Sequence, residues 1–222
     1  MDGKPLVSHT LEIAQKLSSE WLPFVSTDCP TVLEITKNLG LDDSYTRPSY
    51  LAGDQSPTID SVFHAIDWLK KEKGVAVENV LLLQPTSPLR SLDEVKRAIS
   101  TYEQLNCRSL ISVHPMREHP YECVHRKYEG WEYLKSPINE PTRRQDYSET
   151  FYFIDGSIYI ASIQFLRNHN GFIKPSETHL FEVSSEFNID IDDPADLVVA
   201  ESLFKYRKNL NNIENENSKQ QF

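Results

Sequence analysis

The chain has 222 residues, 39% of them hydrophobic, and a formal net charge of -10 at pH 7. This length and apolar content predict one α/β domain with a substantial core, with or without a small appendage. The chain has 33 acidic and 23 basic residues, and this negative balance argues against a protein that binds nucleic acid through overall charge. Any anionic ligand must therefore be held by local cations and hydrogen-bond donors.

The cysteines and the hydropathy pattern indicate the cellular compartment. The three cysteines have neither CxxC nor Cys/His ligand spacing, which excludes a disulfide framework and a zinc site as sequence-based expectations. No apolar run approaches the ~20 residues of a membrane span, and the first ten residues contain no signal-peptide hydrophobic region. We therefore expect a cytoplasmic protein without a membrane segment.

The first half of the chain alternates helical and strand patterns, as in a parallel α/β sheet. The predicted segments are a helix after Pro5, a buried strand over 21–26, helices over 31–39 and 58–73, a strand over 79–83, a helix over 92–104 and a strand over 109–113.

The pattern changes beyond His114. Residues 121–134 alternate polar and apolar side chains around Glu129-Gly130, which predicts a β-hairpin projecting from the sheet. Residues 151–161 are rich in aromatic and β-branched side chains and return as strand, with an interruption at Asp155-Gly156. The second half therefore adds a hairpin and at least one further strand.

The C-terminal region predicts one more helix and a tail. Pro194 begins a helix that extends to about Tyr206, with Asp193 as its N-cap. Residues 208–222 are polar and low in complexity, a composition typical of disorder.

A pair of alternating carboxylates precedes this last helix. In an extended segment, Asp190 and Asp192 face the same side while Ile191 points toward the core. Mg²⁺ is commonly held by one or two protein carboxylates, with phosphate oxygens and water completing the octahedron. The alternative is that the pair, together with Asp193, only supplies negative charge to the first turn of the helix.

The loop after the strand over 79–83 carries the strongest cluster of polar residues. A strand that ends in a polar loop places fixed side chains at the carboxyl edge of a parallel sheet, where α/β proteins bind small molecules. The candidates are Gln84, Thr86, Ser87 and Arg90. Alternatively, the two prolines of this loop only shape a turn.

Three further groups have both a functional and a structural interpretation. Arg143, Arg144 and Gln145 provide donors that can clamp a carboxylate or phosphate, or form a solvated basic loop. Arg47 either contacts a ligand or belongs to a turn with Pro48, and Asp28 either faces a ligand or caps a helix.

Taken together, eight motifs resemble the acylneuraminate cytidylyltransferases, the CMP-sialic acid synthetases and their legionaminic and pseudaminic acid relatives. In chain order they are GKPLVSHT at Gly3, VSTD at Val25, RPSYLAGD at Arg47, PTIDSV at Pro57, LLQPTSPLR at Leu82, RRQD at Arg143, DGSIYI at Asp155 and NIDIDDPAD at Asn188. The resemblance extends from the first residues to about Phe204.

The resemblance implies an α/β fold with a Rossmann-like, mostly parallel sheet, helices on both faces and a small protruding β-hairpin dimerisation subdomain. It implies a nucleotidyltransferase domain over 1–207, with the dimerisation insertion at about 115–150, before the tail over 208–222. It also implies a homodimeric enzyme that couples CTP to a nine-carbon acidic sugar in the presence of Mg²⁺, releases pyrophosphate and feeds surface polysaccharide synthesis.

The same resemblance assigns roles to individual residues. Asp190 and Asp192 match the metal-binding catalytic carboxylates, and Gln84 and Tyr159 match residues lining the sugar pocket. Arg144 matches the arginine that approaches the sugar carboxylate. Three further residues match contacts to the nucleotide: Arg47, Thr58 and Asp28.

Two departures from the family pattern affect this interpretation. The family has a strand and a Gly-rich loop with an arginine and a lysine immediately before the segment that matches Asp2–Pro5, and the chain starts after both. We expect that a start codon was assigned too far downstream; the competing interpretation is a short, non-catalytic relative that binds a sugar or a protein. In addition, Asp155 replaces the usual Asn before Gly156, and its charge would repel an anionic sugar unless a cation offsets it. The sequence leaves open which nonulosonic acid is used.

Overall fold

The computed structural model describes residues 1–136, 147 and 149–219. Within them lie the α-helices α1 (Leu6–Lys16), α2 (Pro30–Asn38), α3 (Thr58–Lys73), α4 (Leu92–Gln104), α5 (Ile163–His169) and α6 (Pro194–Lys219). The strands are β1 (Asn79–Leu82), β2 (Ser109–Pro115), β3 (Val124–Arg126), β4 (Trp131–Tyr133), β5 (Tyr152–Ser162) and β6 (His179–Glu182).

The main sheet is mixed, so the prediction of a mostly parallel sheet was wrong. Its strand order is β1-β5-β2-β6; β5 pairs antiparallel with both β1 and β2, and only β2 and β6 pair in parallel. β1 and β2 do run in the same direction, as their alternation with helices predicted. A strand from the second half of the chain inserts between them in the opposite direction.

Helices cover both faces of this sheet, as expected. Successive side chains of β5 point to opposite faces. Ile158 and Ile160 join a buried cluster that includes Ile13 of α1 and Val95 of α4. On the other face, Ala161 joins a cluster with α3 and α5 that contains Ile59, Phe165, Leu166 and Phe172.

The predicted strand over 21–26 is absent: these residues have no strand assignment. Their apolar side chains pack instead of pairing. The Phe24 ring lies 4.8 Å from the Tyr45 ring and 5.9 Å from the Trp68 ring of α3, measured between centroids. The apolar side chains of residues 21–26 are therefore explained by packing against α3 and not by pairing in a sheet.

The predicted hairpin is present. Val124 pairs with Tyr133 and Arg126 with Trp131 in an antiparallel two-stranded sheet, and Gly130 occupies the connecting turn with φ 84°. The side chains of both strands are exposed.

A third cluster fixes the segment before α6. Ile189 and Ile191 pack with Leu89 of the loop after β1 and with the buried Ala200 of α6. Asp193 is the N-cap of α6, as predicted, because its Oδ1 accepts hydrogen bonds from the backbone N–H groups of Ala195 (2.7 Å) and Asp196 (3.0 Å).

The helix α6 continues to Lys219, beyond the end at about Tyr206 that the pattern predicted and through most of the segment 208–222. No helix in the described part of the chain is both long enough and apolar enough to cross a membrane.

Candidate active site

The candidate site is built around a bulge in β5. The register of β5 against β2 jumps from the pair Ile111–Tyr159 to the pair Val113–Ile154, so residues 155–158 lie off the ladder opposite Ser112. Gly156 within the bulge has φ 71°, a left-handed conformation that glycine adopts without strain. Bulges of this kind re-aim side chains next to active sites.

Three polar side chains converge on Gly156. A Cβ atom built on this glycine would lie 3.1 Å from Gln84 Oε1, 3.5 Å from Tyr159 Oη and 3.9 Å from Asp190 Oδ2. The structure therefore brings together the two predicted sugar-pocket residues and one predicted metal ligand, from three separate segments of the chain. Glycine suits this position because a side chain would crowd the Gln84 amide and would strain the backbone at φ 71°.

Asp190 has the properties of a cation ligand. Its Oδ1 is buried and has no hydrogen-bond partner among the described residues. A buried carboxylate oxygen without a donor is costly, and a bound cation would satisfy it. The backbone N–H of Ile191 donates to Thr86 O at 2.9 Å, which ties this segment to the loop after β1.

Asp192 lies on the same extended segment and its side chain is exposed. Its backbone N–H donates to Asp196 Oδ2 at 3.0 Å, so Asp196, not Asp192, contributes its carboxylate to the helix terminus. The described residues contain no group of three or more His, Cys, Asp or Glu placed to hold a metal. A Mg²⁺ ion held by Asp190 and Asp192 would therefore need phosphate oxygens and water to complete its coordination, as is usual for this ion.

Tyr159 lies between the convergence point at Gly156 and a buried aromatic ring. Its ring packs against the Phe172 ring at 5.5 Å between centroids. Burial raises the pKa of its hydroxyl above the usual 10.0, and the Asp155 and Asp190 carboxylates raise this pKa further. The hydroxyl therefore remains protonated at neutral pH and can donate a hydrogen bond to a ligand.

Asp155 is buried and surrounded by hydrogen-bond donors. It is 2% exposed, and it accepts hydrogen bonds from the Ser112 hydroxyl, the Ser157 N–H at 2.8 Å and the Asn188 side-chain amide. The expected repulsion of an anionic sugar by this carboxylate is therefore reduced, because the carboxylate is enclosed by donors.

Arg90 is also buried, although the sequence placed it in a loop beside the pocket. The residue is 7% exposed, and its guanidinium donates to oxygens of Gln84, Ser157 and Thr10. Burial lowers the pKa of Arg90 from 12.5 to about 10, against the opposing effect of the Asp155 and Glu94 carboxylates. The side chain is still a cation at neutral pH.

The predicted nucleotide contacts lie on other segments of the chain. Arg47 donates from Nε to Ser26 Oγ at 3.0 Å and from Nη2 to Ser26 O, and its backbone N–H donates to Thr27 O at 2.8 Å. Arg47 therefore lies beside the segment that carries Asp28, whose side chain is exposed. Thr58, also exposed, is the first residue of α3. Arg143, Arg144 and Gln145 lie outside the described residues.

Sequence reasoning missed the polar residues that hold the bulge. Ser112 Oγ accepts from the Ile158 N–H at 2.9 Å and donates to Asp155, and Asn188 donates to Asp155 from the other side. Asn188 had two signals: it opens the NIDIDDPAD motif, and it lies two residues before Asp190, on the same face of an extended segment. Ser112 carried no signal, because a serine inside a strand pattern is ordinary.

No family model matches the chain. CMP-N,N'-diacetyllegionaminic acid synthase of Legionella pneumophila is 32% identical over 206 residues, which cover 91% of this chain and 86% of that protein. N-acylneuraminate cytidylyltransferase of Streptococcus agalactiae serotype V is 28% identical over 89% of this chain and 46% of its own length, so the chain spans about half of that relative.

Among solved structures, CMP:2-keto-3-deoxy-manno-octonic acid synthetase complexed with CTP has a TM-score of 0.63 and 17% identity, covering 92% of this chain and 89% of that one. This likeness supports the fold, and the identity to the legionaminic acid synthase over most of both chains supports the family. The chain therefore belongs to the acylneuraminate cytidylyltransferase family, the CMP-sialic, legionaminic and pseudaminic acid synthetase relatives.

Proposed function

We propose that this protein is a cytidylyltransferase that activates a nine-carbon acidic sugar with CTP and releases pyrophosphate. The observation that carries the proposal is the convergence of Gln84 Oε1, Tyr159 Oη and Asp190 Oδ2 at Gly156. The amide and the protonated phenol provide donors for a polyhydroxylated ligand. The Asp190 carboxylate, whose Oδ1 has no hydrogen-bond partner among the described residues, provides a ligand for a cation.

In the proposed reaction the anomeric hydroxyl of the sugar attacks the α-phosphorus of CTP. A new P–O bond forms to the sugar oxygen, the bond to pyrophosphate breaks, and the hydroxyl proton leaves with solvent or a nearby base. Gln84 and Tyr159 orient the sugar for this attack, and Arg144 binds its carboxylate. Orientation of this kind supplies a large share of the rate enhancement in a displacement between two bound reactants.

Asp190 and Asp192 are the residues that would hold Mg²⁺. When bound, this ion neutralises the charge that builds on the phosphates during the displacement. Arg47, Thr58 and Asp28 are the proposed contacts to the nucleotide. Hydrogen bonds to Ser26 orient the Arg47 guanidinium.

The hairpin formed by β3 and β4 is the proposed homodimer contact. Val124, Trp131 and Tyr133 are 57%, 60% and 49% exposed, an unusual amount of apolar surface for a two-stranded sheet. We expect a dimeric mass at micromolar concentration in analytical ultracentrifugation and a monomeric mass for Trp131→Lys. A monomeric wild-type chain would contradict the proposal.

The test of the activity is pyrophosphate release with CTP, Mg²⁺ and a panel of sialic, legionaminic and pseudaminic acids, after circular dichroism has established folding. N,N'-diacetyllegionaminic acid is the first sugar to try, because the relative with 32% identity acts on that sugar by its name. Turnover with one panel member supports the proposal and identifies the substrate. A folded chain that binds the sugar without CTP and releases no pyrophosphate would instead be a sugar-binding relative.

A matched pair of variants tests the carboxylates. Asp190→Asn should abolish turnover, because a neutral amide binds Mg²⁺ far more weakly than a carboxylate. Asp193→Asn should retain turnover, because asparagine is as good an N-cap as aspartate. Equal losses in both variants would mean that the segment is needed for folding and not for catalysis.

A further inference from the structure

Arg90 joins three segments of the chain behind the candidate site. Its Nη2 donates to Gln84 O and to Thr10 Oγ1, each at 3.0 Å, and its Nη1 donates to Ser157 O. Gln84 belongs to the loop after β1, Ser157 to the β5 bulge and Thr10 to α1. One side chain therefore sets the positions of these segments relative to one another.

The acceptors of Arg90 in the described part of the chain are neutral oxygens. The nearest negative charges that act on it are Asp155 and Glu94, and Asp155 is itself bonded to a hydroxyl and two N–H donors. A buried cation and a buried carboxylate that bond to neutral groups instead of to each other contribute little net stability for their desolvation cost. Their value in this place is geometric.

The geometry that Arg90 sets is the geometry of the sugar pocket. It holds the backbone carbonyl of Gln84, whose Oε1 approaches Gly156, and it holds the carbonyl of Ser157, the residue that follows Gly156. A guanidinium carries five N–H donors in a rigid planar fork, which a lysine ammonium cannot reproduce. Movement of either carbonyl would change the separation between the Gln84 amide and the Tyr159 hydroxyl.

We propose that Arg90 is a positioning residue for the acidic sugar: without touching the ligand, it fixes Gln84 against the β5 bulge and so determines sugar affinity. The role in sugar binding rests on the proposed function, whereas the coupling of the two segments does not. The nucleotide contacts at Arg47 and Thr58 do not bond to Arg90, so CTP affinity should be independent of it.

The experiment compares Arg90→Lys with a matched control, Arg207→Lys. Arg207 is a half-buried arginine that donates from Nη1 to Leu89 O at 2.6 Å, in the same loop, but bonds to neither Gln84 nor Ser157. Steady-state kinetics should show a sugar KM raised about tenfold or more in Arg90→Lys, with the CTP KM within about twofold. Arg207→Lys should lower Tm without changing the sugar KM.

If Arg90→Lys raises the KM for both the sugar and CTP, or only lowers the fraction of folded enzyme, Arg90 has a general structural role and the proposal is overturned. An unchanged sugar KM in Arg90→Lys would also overturn it. Where Arg90→Lys does not fold, Thr10→Val removes one acceptor of the guanidinium and should raise the sugar KM by a smaller factor. No rise in that variant counts against the proposal.

Hydrogen–deuterium exchange without any ligand separates a failure of this inference from a failure of the proposed function. In Arg90→Lys, the backbone amides of residues 86–90 and those of residues 155–158 should both exchange faster than in the wild type. The exchange rates of the α3 amides should be unchanged. If the wild-type chain turns over no sugar, this joint increase still supports the coupling by Arg90. Unchanged exchange at both segments overturns it.

Discussion

Asn188 and Asp155 are joined by a hydrogen bond from the Asn188 side-chain amide to the Asp155 carboxylate. This contact connects the bulge of β5 to the extended segment that carries Asp190, two residues further along. The buried carboxylate thus belongs to the support of the site and not to its ligand-facing surface.

Replacement of Asp155 should distinguish loss of its hydrogen bonds from loss of its charge. Asp155→Ala leaves the donors of Ser112, Ser157 and Asn188 unpaired, and we expect it to lower the free energy of unfolding by about 3 kcal/mol. Asp155→Asn should cost only about 1 kcal/mol, because the Asn188 amide can rotate to present its oxygen to the new amide. Urea unfolding measures both.

The control for this pair is Asp67→Asn, which removes a carboxylate that is 70% exposed and lies 3.5 Å from Arg167. An exposed ion pair of this kind contributes about 0–1 kcal/mol. If Asp155→Ala costs no more than Asp67→Asn, the carboxylate does not organise the bulge.

Gly156→Ala should impair sugar binding as well as stability. Its φ of 71° is unfavourable for alanine by about 1 kcal/mol, and the new Cβ would lie 3.1 Å from Gln84 Oε1. We expect a raised sugar KM together with a lower Tm. Gly74→Ala is the matched control, because Gly74 has φ 67° and nothing within 4 Å of its Cβ position. It should show the strain cost alone.

Tyr159→Phe removes one hydroxyl and keeps the ring that packs on Phe172. Loss of a hydrogen bond to a bound sugar typically costs about 0.5–1.5 kcal/mol, which corresponds to a rise in sugar KM of roughly 2- to 13-fold. Steady-state kinetics at fixed CTP would detect the change. Tyr206→Phe, on an exposed tyrosine of α6, should leave the sugar KM unchanged.

The raised pKa of Tyr159 predicts a specific alkaline instability. The unfolded chain releases this proton near pH 10, whereas the folded chain retains it to higher pH because of burial and the two nearby carboxylates. The stabilisation is therefore complete below pH 10 and is lost as the pH rises through the higher folded pKa. Unfolding free energies measured from pH 9 to 11.5 should fall more steeply for the wild type than for Tyr159→Phe; parallel curves would contradict the shift.

Local patterns predicted α1 to α4 and the start of α6 because the signals lie within the helices themselves, whereas α5 was not predicted. The start of α4 at Leu92 is fixed by a capping box in which Ser91 Oγ accepts from the Glu94 N–H and the Glu94 carboxylate accepts from the Ser91 N–H. The alternation of Ile191 with Asp190 and Asp192 likewise predicted that Ile191 faces the core, and the cluster around Leu89 agrees.

Long-range pairing was not predictable in the same way. Nothing local to β5 specifies that it lies between β1 and β2, because strand neighbours are chosen by contacts distant in sequence. The burial of Arg90 was equally hidden, since arginine is ordinarily exposed and its acceptors come from Thr10 and Ser157, far away in the chain. Residues that contact a ligand could be proposed from motifs, whereas those that support them required coordinates.

The central position of β5 also determines when this protein can fold. Within the described residues β1 pairs only with β5, and β2 is flanked by β5 and β6. During synthesis, the pairing of β1 with β5 must therefore wait until residue 162 has left the ribosome. Such late, non-local closure is slow and exposes strand edges to association with other chains. Translation speed and chaperone supply across this interval should then limit the yield of folded protein.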